Sequence, residues 1–229
     1  MSPLAVATAT GAASPFAALL AVAPPPLLQD VPAYAREFVE HALTLGGSAL
    51  AGAPISSLFL SFLFYGFIGW AWESTVCAYA EYTRFANSGF LLGPCCPIYG
   101  VGALVCWLAL RGIPDTLVLF LAAMLVCSAI EYAVGCLLER LTGARFWDYS
   151  GLPLNIHGRV CLYGALLFGS ASVLVCRMTE PWLLWAMAQL PNQVVIGAAI
   201  VCAILLSMDT VFAVASWRRL SSRLETLRA

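Results

Sequence analysis

Three carboxylates and one arginine interrupt stretches of the sequence that are otherwise almost free of charge. Glu73, Glu131 and Asp209 each lie late in a long apolar stretch, and Arg159 begins another. Ionisable groups within a membrane are costly, and they commonly bind substrate or relay protons. Polar side chains also hold neighbouring helices together in lipid. These residues therefore predict either a substrate- or proton-handling site or a structural polar network between helices.

The composition indicates the environment in which such a site would lie. Of 229 residues, 62% are apolar and 10% are charged, with 11 basic and 12 acidic side chains. Ordinary soluble domains are ~45–50% apolar and ~25% charged. The high apolar fraction excludes a disordered chain, and a net charge of −1 without a basic stripe argues against nucleic-acid binding. The chain is therefore predicted to be an integral membrane protein.

Stretches without charge predict the elements that must position the four ionisable groups. A membrane-spanning helix needs ~20 mostly apolar residues. We predict an all-α fold, a polytopic transmembrane helical bundle with about five spans. The predicted spans cover residues 55–79, 97–110, 116–138, 160–176 and 194–217.

A glycine- and proline-rich segment, residues 88–97, precedes the second predicted span. Irregular backbone at membrane depth is tolerated only where protein or a water-filled cavity surrounds it. The segment is therefore either a re-entrant or packed loop or an ordinary interfacial turn. The residues predicted to shape this region are Gly89, Pro94, Pro97, Tyr99 and Gly100.

The chain divides into three parts. Residues 1–54 are rich in alanine and proline and form either an extra membrane pass or a short interfacial helix. Residues 55–217 form the transmembrane domain, and residues 218–229 form an arginine-rich tail. Arginine placement predicts a cytoplasmic C-terminus in the cell membrane. The arginines on the predicted cytoplasmic side are Arg84, Arg140, Arg145, Arg159, Arg218, Arg219, Arg223 and Arg228, against Arg36, Arg111 and Arg177 outside.

This orientation places the ionisable groups at one depth. Glu73, Glu131 and Asp209 fall in the cytoplasmic half of their helices at ~1.5 Å per residue, and Arg159 enters from the same side. A buried polar network is therefore predicted, because pairing with arginine offsets much of the cost of a buried carboxylate.

The loop that follows the third span is dense in charge and aromatic rings. Glu139 stands at the helix end, and Arg145, Trp147, Asp148 and Tyr149 follow. The loop either faces a substrate or anchors the chain at the membrane interface; an anchor suits Trp147 and Tyr149 but does not require Asp148.

Motifs for cofactors are missing from the sequence. Nine scattered cysteines and two isolated histidines match no metal-binding spacing, so no metal and no cofactor is predicted. The sequence has no G-x-x-x-x-G-K-[ST] motif for ATP and no hydrolase or zinc-protease motif. We therefore do not predict an enzyme, although paired carboxylates at a membrane face could serve as general acid and base.

Four motifs occur in a characteristic order. They are Gly69-Trp70-Ala71-Trp72-Glu73; the segment from Gly89 to Gly102; Glu131-Tyr132 with Gly135 and Leu138-Glu139; and Arg145-Phe146-Trp147-Asp148-Tyr149-Ser150 with Asn155 and Gly158-Arg159. Together they resemble the ABC-transporter type IV (CmpB-type) membrane family of bacterial permeases, over roughly residues 58–175. The chain departs from the usual family pattern at Ser88, where an arginine is typical, and at Phe146, where a tryptophan is typical.

The resemblance implies a permease subunit that works with a separate cytoplasmic ATPase. Membrane lipid surrounds the chain, and a homo-oligomer, most simply a dimer, is expected from its small size. Two alternatives stay open: a membrane-embedded enzyme acting on a lipid or isoprenoid, and a structural or regulatory membrane protein. The predicted polar site comprises Glu73, Glu131, Glu139, Arg145, Asp148 and Arg159, with Trp70, Trp147 and Tyr149 as structural aromatics.

Overall fold

The computed structural model of the protein describes residues 49–228, apart from the side chains of residues 81, 82, 218 and 220–228. The predicted N-terminal membrane or interfacial helix falls within residues 1–48 and so lies outside the described residues. The described part begins with a two-stranded antiparallel hairpin, β1 (Ala49–Leu50) and β2 (Ala53–Pro54).

Helices make up the remainder of the described chain. In order they are α1 (Ile55–Trp72), α2 (Ala78–Tyr82), α3 (Pro97–Leu110), α4 (Thr116–Thr142), α5 (Leu162–Leu174), α6 (Glu180–Ala188) and α7 (Asn192–Arg228). A π-helical turn, Glu73–Cys77, joins α1 to α2, and a second one, Val175–Thr179, joins α5 to α6. The backbone therefore runs helically through both junctions, and the fold is the all-α membrane bundle that the sequence predicts.

Four of these helical stretches are long and apolar enough to cross a membrane: Ile55–Ala80, Thr116–Thr142, Leu162–Ala188 and Asn192–Trp217. Much of their surface faces outward, as a lipid environment requires; Leu125 is 74% exposed and Val211 is 67% exposed. The helix at the second predicted position, α3, has 14 residues and is shorter than the other four.

The predicted end of the fourth span at residue 176 is wrong. Arg177 and Glu180 suggested a loop, yet the helix continues through them to Ala188. Arg177 stays exposed and donates hydrogen bonds to the carbonyl oxygens of Ile113 and Pro114, whereas Glu180 is completely buried. The predicted end of the third span is also early, because α4 continues to Thr142.

The first residues of the short helix α3 lie beside the middle of α1, not beside one of its ends. This is because the loop before α3 packs against the helices of the bundle. The amide of Cys96, just before α3, donates a hydrogen bond of 2.9 Å to the carbonyl of Gly66, near the middle of the first long helix. Leu91 and Cys96 are buried. Pro97 occupies the first helical position, where its missing N–H is not needed. Of the two readings of residues 88–97, the structure supports the packed loop.

Asp209 holds this loop from the opposite side. Its two carboxylate oxygens accept hydrogen bonds from the backbone amides of Leu92, at 3.0 Å, and Gly93, at 2.9 Å. About two turns further along α7, the indole N–H of Trp217 donates to the carbonyl of Phe90. The carboxylate in α7 therefore satisfies loop amides that have no helix or strand to pair with.

Asp209→Ala is expected to lower the free energy of unfolding by about 2 kcal/mol or more, because it leaves two amides of a packed loop without their charged acceptor. The measurement is the melting temperature of the purified protein in mild detergent. Ser207→Ala is the matched control on the same helix, since the Ser207 hydroxyl bonds only back to the Ala203 carbonyl of its own turn. Equal melting temperatures for the two variants would contradict this account of Asp209.

The tightest apolar packing lies toward the hairpin end of the bundle. Leu119, Ala123 and Cys106 are fully buried there, where α3 and α4 meet the start of α1 and the end of α5. The cavity described next adjoins this core and extends toward residues 147–149.

Candidate functional site

Four helical elements and one loop enclose a cavity of about 290 Å³. Its sides are formed by the second half of α1, the first half of α3, the middle of α4 and the second half of α5. Trp147 and Tyr149 of the loop also contribute to its wall. Most of the wall is apolar. Its polar side chains include two carboxylates, Glu73 and Glu131, and three tyrosines, Tyr65, Tyr99 and Tyr149.

Glu73 is held in the cavity wall by Tyr99. The Tyr99 hydroxyl, on α3, donates a hydrogen bond to Oε1 of Glu73, the first residue of the π-helical turn after α1. The two helices approach closely at this point: a Cβ on Gly69 would lie 2.2 Å from the Tyr99 ring. Gly69 therefore lets Tyr99 cross the face of α1 and reach Glu73. The sequence predicted Tyr99 as a loop-shaping residue, and the structure adds this contact with the carboxylate.

Glu131 is the more deeply buried carboxylate of the cavity. It is only 4% exposed, and its Oε2 has no hydrogen-bond partner among the described residues. A buried acceptor left without a partner costs about 1–3 kcal/mol, and more when it is charged. Glu131 is therefore a buried carboxylate in the cavity wall with one oxygen that no described residue satisfies.

The loop residues Trp147 and Tyr149 face inward and line the cavity. The Trp147 indole N–H donates to the carbonyl of Arg159 at 2.8 Å, which holds the ring against the loop's own backbone. Burial, followed by the charge of Glu131 and a hydrogen bond to it, raises the pKa of Tyr149. These two aromatic residues were predicted as structural residues that suit an interfacial anchor, in a loop that either faces a substrate or anchors the chain; both lie in the cavity wall.

The remaining predicted charges form a separate ion-pair cluster beside the cavity. Glu139 pairs with Arg159 through Oε2 and with Arg145 through Oε1, the latter at 3.3 Å. Arg145 also reaches Asp148 at 3.5 Å. The paired Glu139 raises the pKa of Arg159. Hydrogen bonds from the Ser150 hydroxyl and amide, together with the nearby Arg145, lower the pKa of Asp148.

Tight turns fix the loop that carries this cluster. Gly158 adopts φ = +68°, and a Cβ there would lie 2.4 Å from Oδ1 of Asp148. The Gly158 carbonyl accepts the amide of Tyr149, and Asn155 bonds to the backbone of Ser150, Leu152 and Gly158. The backbone of the loop is thereby set so that Tyr149 points into the bundle while Asp148 stays exposed.

The structure divides the polar cluster that the sequence predicts. Glu73 and Glu131 line one cavity, whereas Glu139, Arg145, Asp148 and Arg159 form the adjoining cluster. Arg159 was expected to offset the buried carboxylates, but it pairs with Glu139. Asp209 was expected at the same depth as these groups, and it binds the 88–96 loop instead.

The other predicted residues have structural contacts. Trp70 donates to the Asn87 side chain at 2.6 Å and so joins α1 to the packed loop. Gly89 adopts φ = +106°, which favours glycine, and Pro94 lies in the loop two residues before the buried Cys96. Gly100 is buried against the backbone of α1.

The sequence analysis did not identify four residues that line the cavity or lie buried near it: Tyr65, Trp72, Phe168 and Glu180. Trp72 and Phe168 line the cavity, but as apolar residues in apolar helices they carry no signal of it. Tyr65 both lines the cavity and bonds to Thr179 at 3.0 Å. Glu180 lies buried close to Ser61 and Tyr65. The apolar run resuming after Pro181 could have indicated that Glu180 lies inside a span.

Within residues 49–228, no group of three or more His, Cys, Asp or Glu side chains is arranged to hold a metal ion. The nine cysteines are all free thiols. The groups available for binding in the cavity are carboxylates, hydroxyls, aromatic rings and the thiol of Cys127.

Fold and cavity together define a polytopic α-helical membrane protein with two carboxylates in an interhelical cavity. The model of the family described as "Putative ABC-transporter type IV" matches residues 60–214, about two thirds of the chain, and the chain belongs to that family. No curated protein and no solved structure matches it. The family membership confirms the resemblance drawn from the four motifs.

Proposed function

We propose that the chain is the permease subunit of an ABC transporter and that its substrate binds in the cavity lined by Glu73 and Glu131. The observation that carries the proposal is Glu131, a carboxylate 4% exposed in the cavity wall with Oε2 unpartnered. Intramembrane carboxylates facing a cavity commonly bind substrate or ions in transporters.

The alternative role, polar contacts that only hold helices together, fits other carboxylates of this chain better. Asp209 accepts two amides, and Glu139 pairs with two arginines. Their oxygens find partners, as expected of groups whose function is structural. Glu180 is also buried with both oxygens unpartnered among the described residues, but it does not line the cavity; Glu131 differs because its unpartnered oxygen belongs to a residue of the cavity wall.

A separate ATPase would supply the energy, since the sequence has no nucleotide-binding motif of the P-loop type. The surface proposed to meet it is the loop between α4 and α5. This loop exposes apolar side chains, Leu154 at 75% and Ile156 at 56%, next to the Glu139–Arg145–Asp148 ion pairs. An apolar patch rimmed by charge is typical of protein–protein contacts.

The proposed orientation places this loop and the C-terminal end of α7 in the cytoplasm, following the arginine bias. Arg111 and Arg177, predicted outside, lie together at the other end of the bundle. Arg111 donates to the Ala51 carbonyl, and Arg177 donates to Ile113 and Pro114. A homo-oligomer stays part of the proposal, because a path for substrate through one small bundle is narrow.

The test compares the solute content of the native host with the gene intact and deleted. Wild-type protein supplied in trans is expected to restore the solutes that deletion changes. Glu131→Gln is expected not to restore them, because the amide has nearly the same shape but lacks the charge. The measurement is mass spectrometry of cell extracts, with the amount of each variant in the membrane determined in parallel.

Asp115→Asn is the matched control. It makes the same chemical change at an exposed helix N-cap, where Asp115 accepts the amide of Val118 at 2.8 Å, and asparagine caps a helix equally well. Full restoration by Glu131→Gln at normal membrane abundance would contradict the proposed site. Accumulation of a modified lipid, with no change in small solutes, would favour the membrane-embedded enzyme instead.

A further inference from the structure

The electrostatic character of the cavity restricts what it can bind. Two carboxylates contribute to its wall, and none of its lining residues is arginine or histidine. Arg145 and Arg159, in the adjoining cluster, pair with Glu139. An anion entering this cavity would meet like charge in a medium of low dielectric, which is strongly unfavourable.

Six of the other lining residues are aromatic, and the remainder are mostly aliphatic or small. The rings come from Tyr65, Trp72, Tyr99, Trp147, Tyr149 and Phe168. Aromatic faces attract cations, and the attraction is strongest where water is excluded. Proteins bind organic ammonium ions with aromatic rings arranged around the cation in this way.

The two carboxylates differ in whether their oxygens already have a hydrogen-bond partner in the protein. One oxygen of Glu73 is occupied by the Tyr99 hydroxyl. Glu131 is nine-tenths buried or more, and its Oε2 is free of any described partner. The unsatisfied acceptor therefore belongs to Glu131, the more buried of the two cavity carboxylates. An unpaired negative charge is costly there, and a bound positive charge is stabilised most.

We infer that the cavity binds a small organic cation, an alkylammonium or quaternary ammonium ion, with Glu131 as its counter-ion and the surrounding aromatic rings as its cage. A volume of about 290 Å³ admits a compact ion of this kind. The mostly apolar wall disfavours a hydrated metal ion, which would need more oxygen ligands than two carboxylates and a few hydroxyls provide.

The inference rests on the proposed function, because it names the class of substrate for the same cavity. It is nevertheless testable by binding alone, with no transport assay.

The experiment uses three probes of nearly the same shape and different charge: choline, the neutral 3,3-dimethylbutan-1-ol and the anionic 3,3-dimethylbutanoate. Each is titrated by calorimetry into the full chain purified in mild detergent, and tetraethylammonium serves as a second, larger cation. We expect the dissociation constant of at least one of the two cations to be at least about tenfold below those of the neutral and anionic probes, or about 1.4 kcal/mol.

Glu131→Gln is expected to remove the preference for cations, and Asp115→Asn is expected to retain it. The comparison among ligands on the wild-type protein needs no variant, so the result stands even if Glu131→Gln folds poorly. Equal binding of the neutral alcohol and both cations, tighter binding of the anion, or no binding of any of the four probes would overturn the inference.

Failure of this inference is distinguishable from failure of the proposed function. If the cations show no preference but Glu131→Gln still fails to restore the solute content of the host, the cavity carries a substrate of another class. If the cations bind as expected and Glu131→Gln restores the solutes fully, the cavity is a cation site that transport does not use.

Discussion

Gly100→Ala is expected to destabilise the bundle severely, by about 3 kcal/mol or more, through overpacking against main-chain atoms. A Cβ at Gly100 would lie 2.4 Å from the carbonyl oxygen of Phe62 and 2.5 Å from its ring. The ring could rotate away, but the carbonyl belongs to α1 and can move only with the helix. The variant must therefore push α3 away from α1 at their closest contact.

Gly102→Ala is the matched control, two residues further along the same helix. A Cβ there has no heavy atom within 4 Å, and alanine favours helix over glycine by roughly 0.5–1 kcal/mol. We expect this variant to melt at or slightly above the wild-type temperature in mild detergent, while Gly100→Ala melts far below it. If the two variants have the same melting temperature, the close approach of α1 and α3 is not as described.

The same contact between α1 and α3 matters for the site. Gly69 and Gly100 both lie where these helices touch, and Tyr99 stands between them and reaches Glu73. A displacement of α3 would therefore separate Tyr99 from the carboxylate as well as weaken the fold. For this reason the stability of each variant has to be measured before its effect on transport is interpreted.

Much of the architecture could be predicted because it depends on local composition. Long apolar stretches can satisfy their backbone only as helices in lipid, so the helix at residues 97–110 was predicted to the residue. The end of the fourth span was missed at Arg177 and Glu180, because the hydrogen bonds of Arg177 and the burial of Glu180 involve residues distant in sequence. Arg177 uses the carbonyls of Ile113 and Pro114, and nothing near residue 177 indicates this.

The site was predicted in part for the same reason. The costly charges Glu73 and Glu131 stand out in any apolar sequence, and they do line one cavity. Which charge pairs with which depends on three-dimensional packing, so the partner of Arg159 and the backbone contacts of Asp209 could not be read from spacing. The aromatic wall was not predicted; of its rings, Trp147 and Tyr149 were singled out only as structural aromatics of a charged loop, and Tyr99 only as loop-shaping.

Removing the charge of either cavity carboxylate is expected to lower transport by at least about tenfold, which corresponds to about 1.4 kcal/mol of lost interaction with the substrate. Glu73→Gln and Glu131→Gln change two groups in one cavity that act on one bound substrate. Their effects should therefore not add, and the double variant should be little slower than the slower single variant. Independent structural contacts would instead give effects that multiply.

The central claim is that the cavity of Glu73 and Glu131 binds the transported substrate. It is tested most directly by the initial rate of ATP-dependent movement of the solute identified in the host, in membrane vesicles containing equal amounts of wild type, Glu131→Gln or Asp115→Asn. We predict that Asp115→Asn moves the solute at the wild-type rate and that Glu131→Gln moves it at about one tenth of that rate or less. A Glu131→Gln protein that folds normally and transports as fast as the wild type would contradict the claim.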